Sequence, residues 1–412
     1  MALGRRTSVG IDIGTNTVKV IVTEHGNSSD SKNLTGLGNG LPRIIGSGIA
    51  ESKGLRHGYI TNISEAAKSI KQAVAAAEKS SGIKIRKAYI AVGGVGVSAI
   101  VSTGSIITTK ADTEITDLDV KRACEESEKE LPGGFILNRR IIHIVPLGFR
   151  IDGKRVLGRP QGMKGIKLEA RVLYITCLTH HLNDLLLAFE EADIEVEDVM
   201  ASPMAASLVT LSKTQKIAGC VLANIGSETT SIIVFEENIP VSMEVFPFGS
   251  NDVTNDIALG LKVSIEEAES IKTGAPVGGN AKEINYSKKK LDEIIIARLS
   301  DIFDLIEEHL TKIDRNGLLP AGIVLTGGGS GIPNIEDLAK AALHLPSKQS
   351  KLHFEGNLKG IVRDFEWAVA YGLTVLGGQS DDGGTISPPG MAGPIFNNAK
   401  NGLWRWLKQF LP

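Results

Sequence analysis

The feature that most limits the fold is a short unit that occurs twice. Residues 8–22, SVGIDIGTNTVKVIV, hold two β-branched runs joined by Gly-Thr-Asn, the pattern of a tight hairpin. Residues 221–234, VLANIGSETTSIIV, repeat the pattern at an offset of 212, which sets Asn224 on Asp12, Gly226 on Gly14, Ser227 on Thr15 and Thr229 on Thr17. Two copies are too few for a solenoid. They fit two similar lobes, each opening with a hairpin beside a cleft; the competing explanation is chance likeness between two glycine turns.

A length of 412 residues accommodates two or more packed cores. Lys and Arg number 45 against 47 Asp and Glu, and a formal net charge of −2 leaves no basic field to hold nucleic acid, so no nucleic-acid partner is expected. Cys124, Cys177 and Cys220 are widely spaced and odd in number, which fits neither a disulfide framework nor a CxxC metal site and predicts a reducing compartment. No apolar run reaches the ~18 residues of a membrane span, and Asp12 interrupts the stretch behind Arg5 and Arg6, so neither a span nor a cleaved signal is expected.

Apolar spacing predicts helices over 64–80, with Ser64 as cap, over 116–131, with Thr116 as cap and Asp119 at the third helical position, and over 264–273, 291–313 and 334–343. Strand runs at 88–92, 140–151 and 170–178 flank the second of these helices, so 84–167 reads as a small α+β insert. Residues 321–331 read as a buried strand running into glycines. Compact structure is expected to end near Gly377, because 377–402 is dominated by Gly, Ser, Asp, Pro and Asn and has the composition of a flexible linker.

A nucleoside triphosphate needs backbone N–H groups that approach its phosphates closely, and glycine-bearing turns supply them. Gly14, Thr15 and Asn16 would do so from one side, and Gly226, Ser227 and Glu228 from the other. Asp12, at the end of the first strand, is placed to hold the water shell of Mg²⁺, and Lys19 to balance phosphate charge. Gly327, Gly328 and Gly329 would let a flat base or an α-phosphate lie on bare backbone; equally, they suit a turn that starts the next helix. Glu269 and Lys272 share a helix face that reaches ribose hydroxyls or is simply a solvated charged face.

At the far end, Leu403, Trp404, Trp406, Leu407, Phe410 and Leu411 fall within an arc of about 160° on a helix, with Arg405 and Lys408 on the opposite side. Such a segment, too short to span, would lie on a membrane surface with its indoles at the boundary and its cations on anionic headgroups. The alternative is a terminal helix docked on the protein's own core.

Taken together, a DIGT hairpin, a second hairpin, an E-x-x-K helix and a TGGG strand resemble the nucleotide-binding scheme of actin, Hsp70 and sugar kinases. The segments RIIHIVPLGFRIDG (140–153), RPQGMKGIKLEARVLYIT (159–176), FPFGSNDVTNDIALGLKVSIEEAESIK (246–272) and IIIARLSDIFDLIEEHL (294–310) look like the bacterial cell-division actin homologue FtsA, a likeness running over about 9–376. It implies an α/β, two-lobed actin-like fold, duplicated and ribonuclease H-like, with a small α+β inserted subdomain and a C-terminal amphipathic helix. The corresponding divisions are 1–83 with 168–205 for the first lobe, 84–167 for the insert, 206–250 with 320–376 for the second lobe's base, 251–319 for its upper subdomain, 377–402 for the linker and 403–412 for the membrane helix.

The resemblance further implies ATP and Mg²⁺ as ligands. Asp12, Gly14, Thr15 and Lys19 match the first phosphate motif, Gly226, Ser227 and Thr229 the second, Gly249, Glu269 and Lys272 the adenosine side, and Gly327 to Gly329 the last. It implies filaments of self on the cytoplasmic side of the cell membrane at the division septum, a grip on the FtsZ C-terminal tail at Arg298, and recruitment of later divisome proteins. Many relatives carry Asp-x-Gly-Gly-Gly where this chain has Asn224-Ile225-Gly226-Ser227-Glu228, and Ser250 stands where a second glycine is usual, so hydrolysis is expected to be weak or absent. A small-molecule kinase on the same fold is the alternative, and it needs a carboxylate base for which the sequence offers no matching candidate. A chaperone would need a peptide-binding domain after the second lobe.

Overall fold

The computed structural model describes residues 6–25, 41–110, 112–274, 286–352 and 364–379. β1 (Arg6–Ile13) turns back as β2 (Thr17–His25), which pairs antiparallel with β3 (Arg43–Glu51). A short hairpin, β4 (Leu55–Arg56) and β5 (Tyr59–Ile60), leads into α1 (Ile63–Ser81) and then β6 (Lys87–Val92), parallel to β1. The 3–4 spacing of Ala66, Ile70, Ala73, Val74 and Ala77 buries one face of α1 against β2 and β3. Its cap is Asn62, whose side chain accepts from the Glu65 N–H; Ser64, the expected cap, lies inside the first turn.

The chain then leaves the lobe to build β7 (Val97–Ile107), α2 (Asp117–Lys129), the single turn α3 (Gly133–Ile136), β8 (Arg139–Ile151), β9 (Lys154–Val156) and β10 (Lys167–Leu178). These strands form a separate sheet in the order β7-β10-β8-β9, with α2 on one face. Thr116 caps α2 in a reciprocal box with Asp119, as its spacing predicts. Strand alternation gives β10 two loyalties: Leu168, Ala170, Val172 and Tyr174 pack with Val120 and Ala123 of α2, while Leu173, Ile175 and Cys177 join the core shared with the first lobe. Two sequence expectations are corrected here: residues 168–178, expected in the first lobe, pair along their length inside the insert's sheet as β10. The run at 88–92 is not part of the insert but sits between β1 and the next strand of the first lobe's sheet, because AYIAV is apolar on both faces and suits a central parallel strand.

From the insert, α4 (Thr179–Glu191) leads to β11 (Glu195–Ala201), which completes the sheet β11-β6-β1-β2-β3, and α5 (Ser202–Thr210) and α6 (Lys213–Ala218) follow. The second lobe repeats the plan. It comprises β12 (Cys220–Ile225), β13 (Thr230–Glu236), β14 (Ile239–Phe246), α7 (Ser250–Leu261), α8 (Ile265–Thr273), α9 (Lys288–Lys312), β15 (Ile323–Thr326), α10 (Ile335–Leu343) and β16 (Ser347–Gln349). Its sheet runs β14-β13-β12-β15-β16, the same sequence of two antiparallel and two parallel pairings. The 212-residue offset holds to the hydrogen bond: Gly14 N–H donates to the Thr17 carbonyl at 3.0 Å, and Gly226 N–H to the Thr229 carbonyl at 2.8 Å. Chance likeness of two glycine turns would not reproduce a whole sheet.

Both faces of the second sheet are covered. Val221, Ala223, Ile225, Ile232 and Val234 face the core of α7, α9 and α10, whereas Leu222, Ile233 and Phe235 face the core shared with the first lobe. The last helix, α11 (Ala368–Gln379), packs on α5 and β1, so residues 368–376 belong with the first lobe rather than with the second. Gly372 makes that crossing possible, since a Cβ there would run into the backbone of Ala205. α11 also continues through Gly377, where compact structure was expected to end; positions 380–402 of the expected linker and the helix at 403–412 lie outside the described residues. Among the described residues no helix is long and apolar enough to cross a membrane.

Buried histidines give the fold a pH signature, and His143 and His309 carry the largest shifts. His143 on β8 accepts the Ala201 N–H at 3.1 Å, and His309 on α9 shares a 2.8 Å hydrogen bond with Ser242 of β14; burial lowers both imidazoles to about 4. Below the ordinary histidine value of 6.5 the unfolded chain takes up protons that the folded chain refuses, so stability is fully present above that pH and is lost down to about 4. Asp12, raised to about 6, works in the opposite sense and offsets part of the loss. Stability should therefore fall between pH 7 and pH 5. Urea midpoints at the two pH values test this: equal midpoints contradict it, and His309→Gln should reduce the difference.

Candidate functional site

The two hairpin turns face each other across a cleft of about 1100 Å³ between the lobes. Asp12, Gly14, Thr15, Asn16 and Lys19 line one wall, and Asn224, Gly226, Ser227 and Thr229 the other. This convergence follows from the repeat, since in each lobe the turn lies at the end of a central strand, where an open α/β sheet forms its crevice. Asp12 and Lys19 stand opposite each other in the β1–β2 ladder, and Lys19 Nζ donates to Thr17 Oγ1 at 2.6 Å. Burial raises the Asp12 carboxyl to about 6, outweighing the favourable Lys19 charge. A carboxylate held in that condition gains strongly from a cation brought beside it.

The three glycines after β15 divide their work. Gly327 has φ +83°, and a Cβ on it would strike Asn224 Oδ1 and the Ile225 carbonyl; one on Gly329 would strike the Ile225 side chain. These two seat the turn against β12, and Gly329 does not reach the cleft lining. Gly328 is exposed in the cleft, and a Cβ on it would find nothing nearer than the Glu366 carboxylate at 3.9 Å. The turn thus starts the path to the next helix and also leaves bare backbone in the cleft.

Gly249, the residue before α7, likewise lies outside the lining; its missing Cβ lets the chain pass close to the backbone of Ser227 and Glu228. Lys272 is not on a solvated face. It is 6% exposed, and its ammonium donates to the Ser250 carbonyl at 3.1 Å and Thr254 Oγ1 at 2.7 Å and pairs with Glu269 at 2.7 Å. Glu269, which also accepts from Thr254 at 2.6 Å, is half-exposed on the cleft wall. Lys272 therefore ties α8 to α7 and holds the Glu269 carboxylate in place.

Sequence reasoning missed the first lobe's counterpart of the TGGG turn. Tyr89 and Val324 pair with Gly10 and Leu222, which the repeat makes equivalent, so Gly93 and Gly94 occupy the places of Gly328 and Gly329. Both line the cleft, as does His57 on the turn between β4 and β5. The signal was present, an apolar strand ending in two glycines, but lay inside the segment read as insert. Arg298 is not at the cleft: on α9 its guanidinium grips Asp256 of α7 with Nε at 2.6 Å and a second nitrogen at 3.2 Å, and reaches Asp301 at 3.3 Å. These carboxylates raise its pKa further. Leu403, Trp404, Arg405, Trp406, Leu407, Lys408, Phe410 and Leu411 lie outside the described residues.

Residues 221–372 match the family described as cell division protein FtsA, and residues 94–176 match the SHS2 domain inserted in FtsA. The chain is 31% identical over 383 residues to FtsA of Bacillus subtilis (strain 168), covering 89% of this chain and 82% of that protein. The chain belongs to the FtsA family. FtsA of Pseudomonas aeruginosa is 28% identical over 425 residues, with 97% of each chain covered. The SHS2 match spans the sheet β7 to β10 almost end to end, and the FtsA match spans the second lobe and its return into α11. In fold, the chain is similar to the PilM–PilN type IV pilus biogenesis complex, with a TM-score of 0.65 and 17% identity over 91% of this chain and 99% of that one. It is also similar to MreB5 of Spiroplasma citri, a structure bound to ADP, with a TM-score of 0.50 and 15% identity over 90% and 96%. The actin-like fold implied by the sequence is thus the observed one, and FtsA membership displaces the small-molecule-kinase alternative.

Proposed function

We propose that this FtsA chain binds Mg²⁺-ATP in the interlobe cleft, assembles into filaments on the cytoplasmic face of the cell membrane at the division septum, and holds FtsZ there for later divisome proteins. The observation that carries the nucleotide reading is the pair of hairpin turns facing one cleft, with the bare backbone of Gly328 beside them. The donor set fits. Turn N–H groups at Thr15, Asn16, Ser227 and Glu228 suit phosphate oxygens, Lys19 adds a cation, and Glu269 offers a carboxylate to ribose hydroxyls. Asp12 would hold Mg²⁺ through its water shell; when bound, the ion neutralises charge between the phosphates.

Asn224 occupies the position equivalent to Asp12 and supplies an amide instead of a carboxylate, so it cannot take a proton from water. ATP turnover should therefore lie well below the ordinary enzyme range of about 1–10³ per second. Asn224→Asp should raise phosphate release several-fold, and a wild-type rate already in the ordinary range would contradict the reading. Docking of the FtsZ tail at α9 would have a tail carboxylate share Arg298 with Asp256. Arg298→Ala should weaken a labelled tail peptide in fluorescence anisotropy, and unchanged affinity would remove Arg298 from that contact. Membrane attachment is assigned to residues 403–411 on the amphipathic pattern of their sequence.

A further inference from the structure

The second hairpin turn does more than face the first lobe. Glu228, on that turn, accepts the His57 backbone N–H on its Oε2 at 2.5 Å, and His57 Nδ1 lies 3.2 Å from the Glu228 carbonyl. A carbonyl only accepts, so His57 donates from Nδ1, and the two residues exchange a reciprocal pair of hydrogen bonds between lobes. The first-lobe partner is firmly seated. His57 has φ +47°, a conformation unusual for a residue with a side chain, and the next residue, Gly58 at φ +82°, packs against Gly94 so closely that neither position has room for a Cβ. The His57 carbonyl also accepts from Val95 at 3.4 Å, and Tyr59 lies edge-on to His181 at 4.8 Å, so the turn is anchored to the loop after β6 and to α4. Glu228, His57, Gly58 and Gly94 all line the cleft.

We propose that Glu228 and His57 form a latch across the cleft that holds the lobes closed and slows the exchange of bound nucleotide. The latch rests on the nucleotide reading only for the identity of the ligand; the closure itself stands on the two hydrogen bonds. A carboxylate accepting from a backbone N–H is a charge-assisted bond, stronger than a neutral one, and it can form only with the two turns at this separation. Opening the cleft breaks both bonds at once. Negative charge on the second turn is thus directed at the opposite lobe.

The test uses the full chain. Stopped-flow release of a fluorescent ATP analogue should be about ten-fold faster in Glu228→Ala than in wild type, with uptake accelerated too. Glu228→Gln, which keeps an oxygen acceptor, should recover most of the slow exchange. Independently of any ligand, hydrogen exchange at the His57 amide should be protected in wild type and lose that protection in Glu228→Ala. Equal release rates in wild type and Glu228→Ala, or unchanged His57 exchange, would overturn the latch. If the analogue binds neither protein while His57 exchange still responds to Glu228, the latch stands and the nucleotide reading falls.

Discussion

Gly328→Leu should reduce affinity for Mg²⁺-ATP by about ten- to a hundred-fold while leaving the fold intact. The position is exposed in the cleft, its backbone does not adopt positive φ, and a Cβ there meets nothing nearer than 3.9 Å, so the folded chain accommodates a side chain. A bound nucleotide lying on that backbone would not. Forcing a branched side chain into a filled contact costs about 1–3 kcal/mol, which sets the expected loss. Gly327 makes the contrast: its φ of +83° and its contact with Asn224 mean that Gly327→Leu should damage the fold itself. Calorimetric titration beside a thermal melt separates the two effects. Full affinity in a folded Gly328→Leu protein would take nucleotide off this backbone.

The second large effect concerns attachment. Trp404→Glu with Leu407→Glu should reduce binding to anionic liposomes by at least about a hundred-fold, because it removes two large apolar side chains, each contributing about 1.5–3 kcal/mol on burial, and sets two negative charges against anionic headgroups. A helix of nine residues is not stable alone in water, so on the proposed reading the 403–411 segment should gain helical signal only when anionic liposomes are added. One such anchor is weak, and binding of wild type should rise steeply with protein concentration as copies assemble. ATP affinity of the double variant should be unchanged. Wild-type co-sedimentation by the double variant would place the anchor elsewhere.

What could be read from the sequence was what local chemistry decides. The hairpins announced themselves through β-branched runs and glycine turns, and the helices at 116 and 264 through Ser or Thr with an acidic residue three positions on. The repeat then supplied the lobes. What failed to show were choices made by distant partners. The strand Lys87–Val92 has the same apolar sequence whichever sheet receives it, and its place is set by Gly10 and Ile11 of β1. α11 is apolar all round, so its pattern names no face, and the backbone contact of Gly372 with Ala205 decides its lobe. The same holds at the site. Lys272 carries no sign in sequence of being buried, Arg298 none of being gripped by Asp256, and Glu228 none of reaching His57, 171 residues away. Burial and pairing across such separations leave no local periodicity for a sequence to display.

The most direct test of a nucleotide-dependent membrane link for FtsZ is co-sedimentation of the full chain with anionic liposomes and a labelled FtsZ tail peptide, run with and without Mg²⁺-ATP. The peptide should appear in the pellet with wild-type protein and ATP, fall several-fold without ATP, and be absent with the Trp404→Glu, Leu407→Glu variant. Peptide recovered equally with and without ATP, or retained in the supernatant while the protein itself sediments, would contradict it.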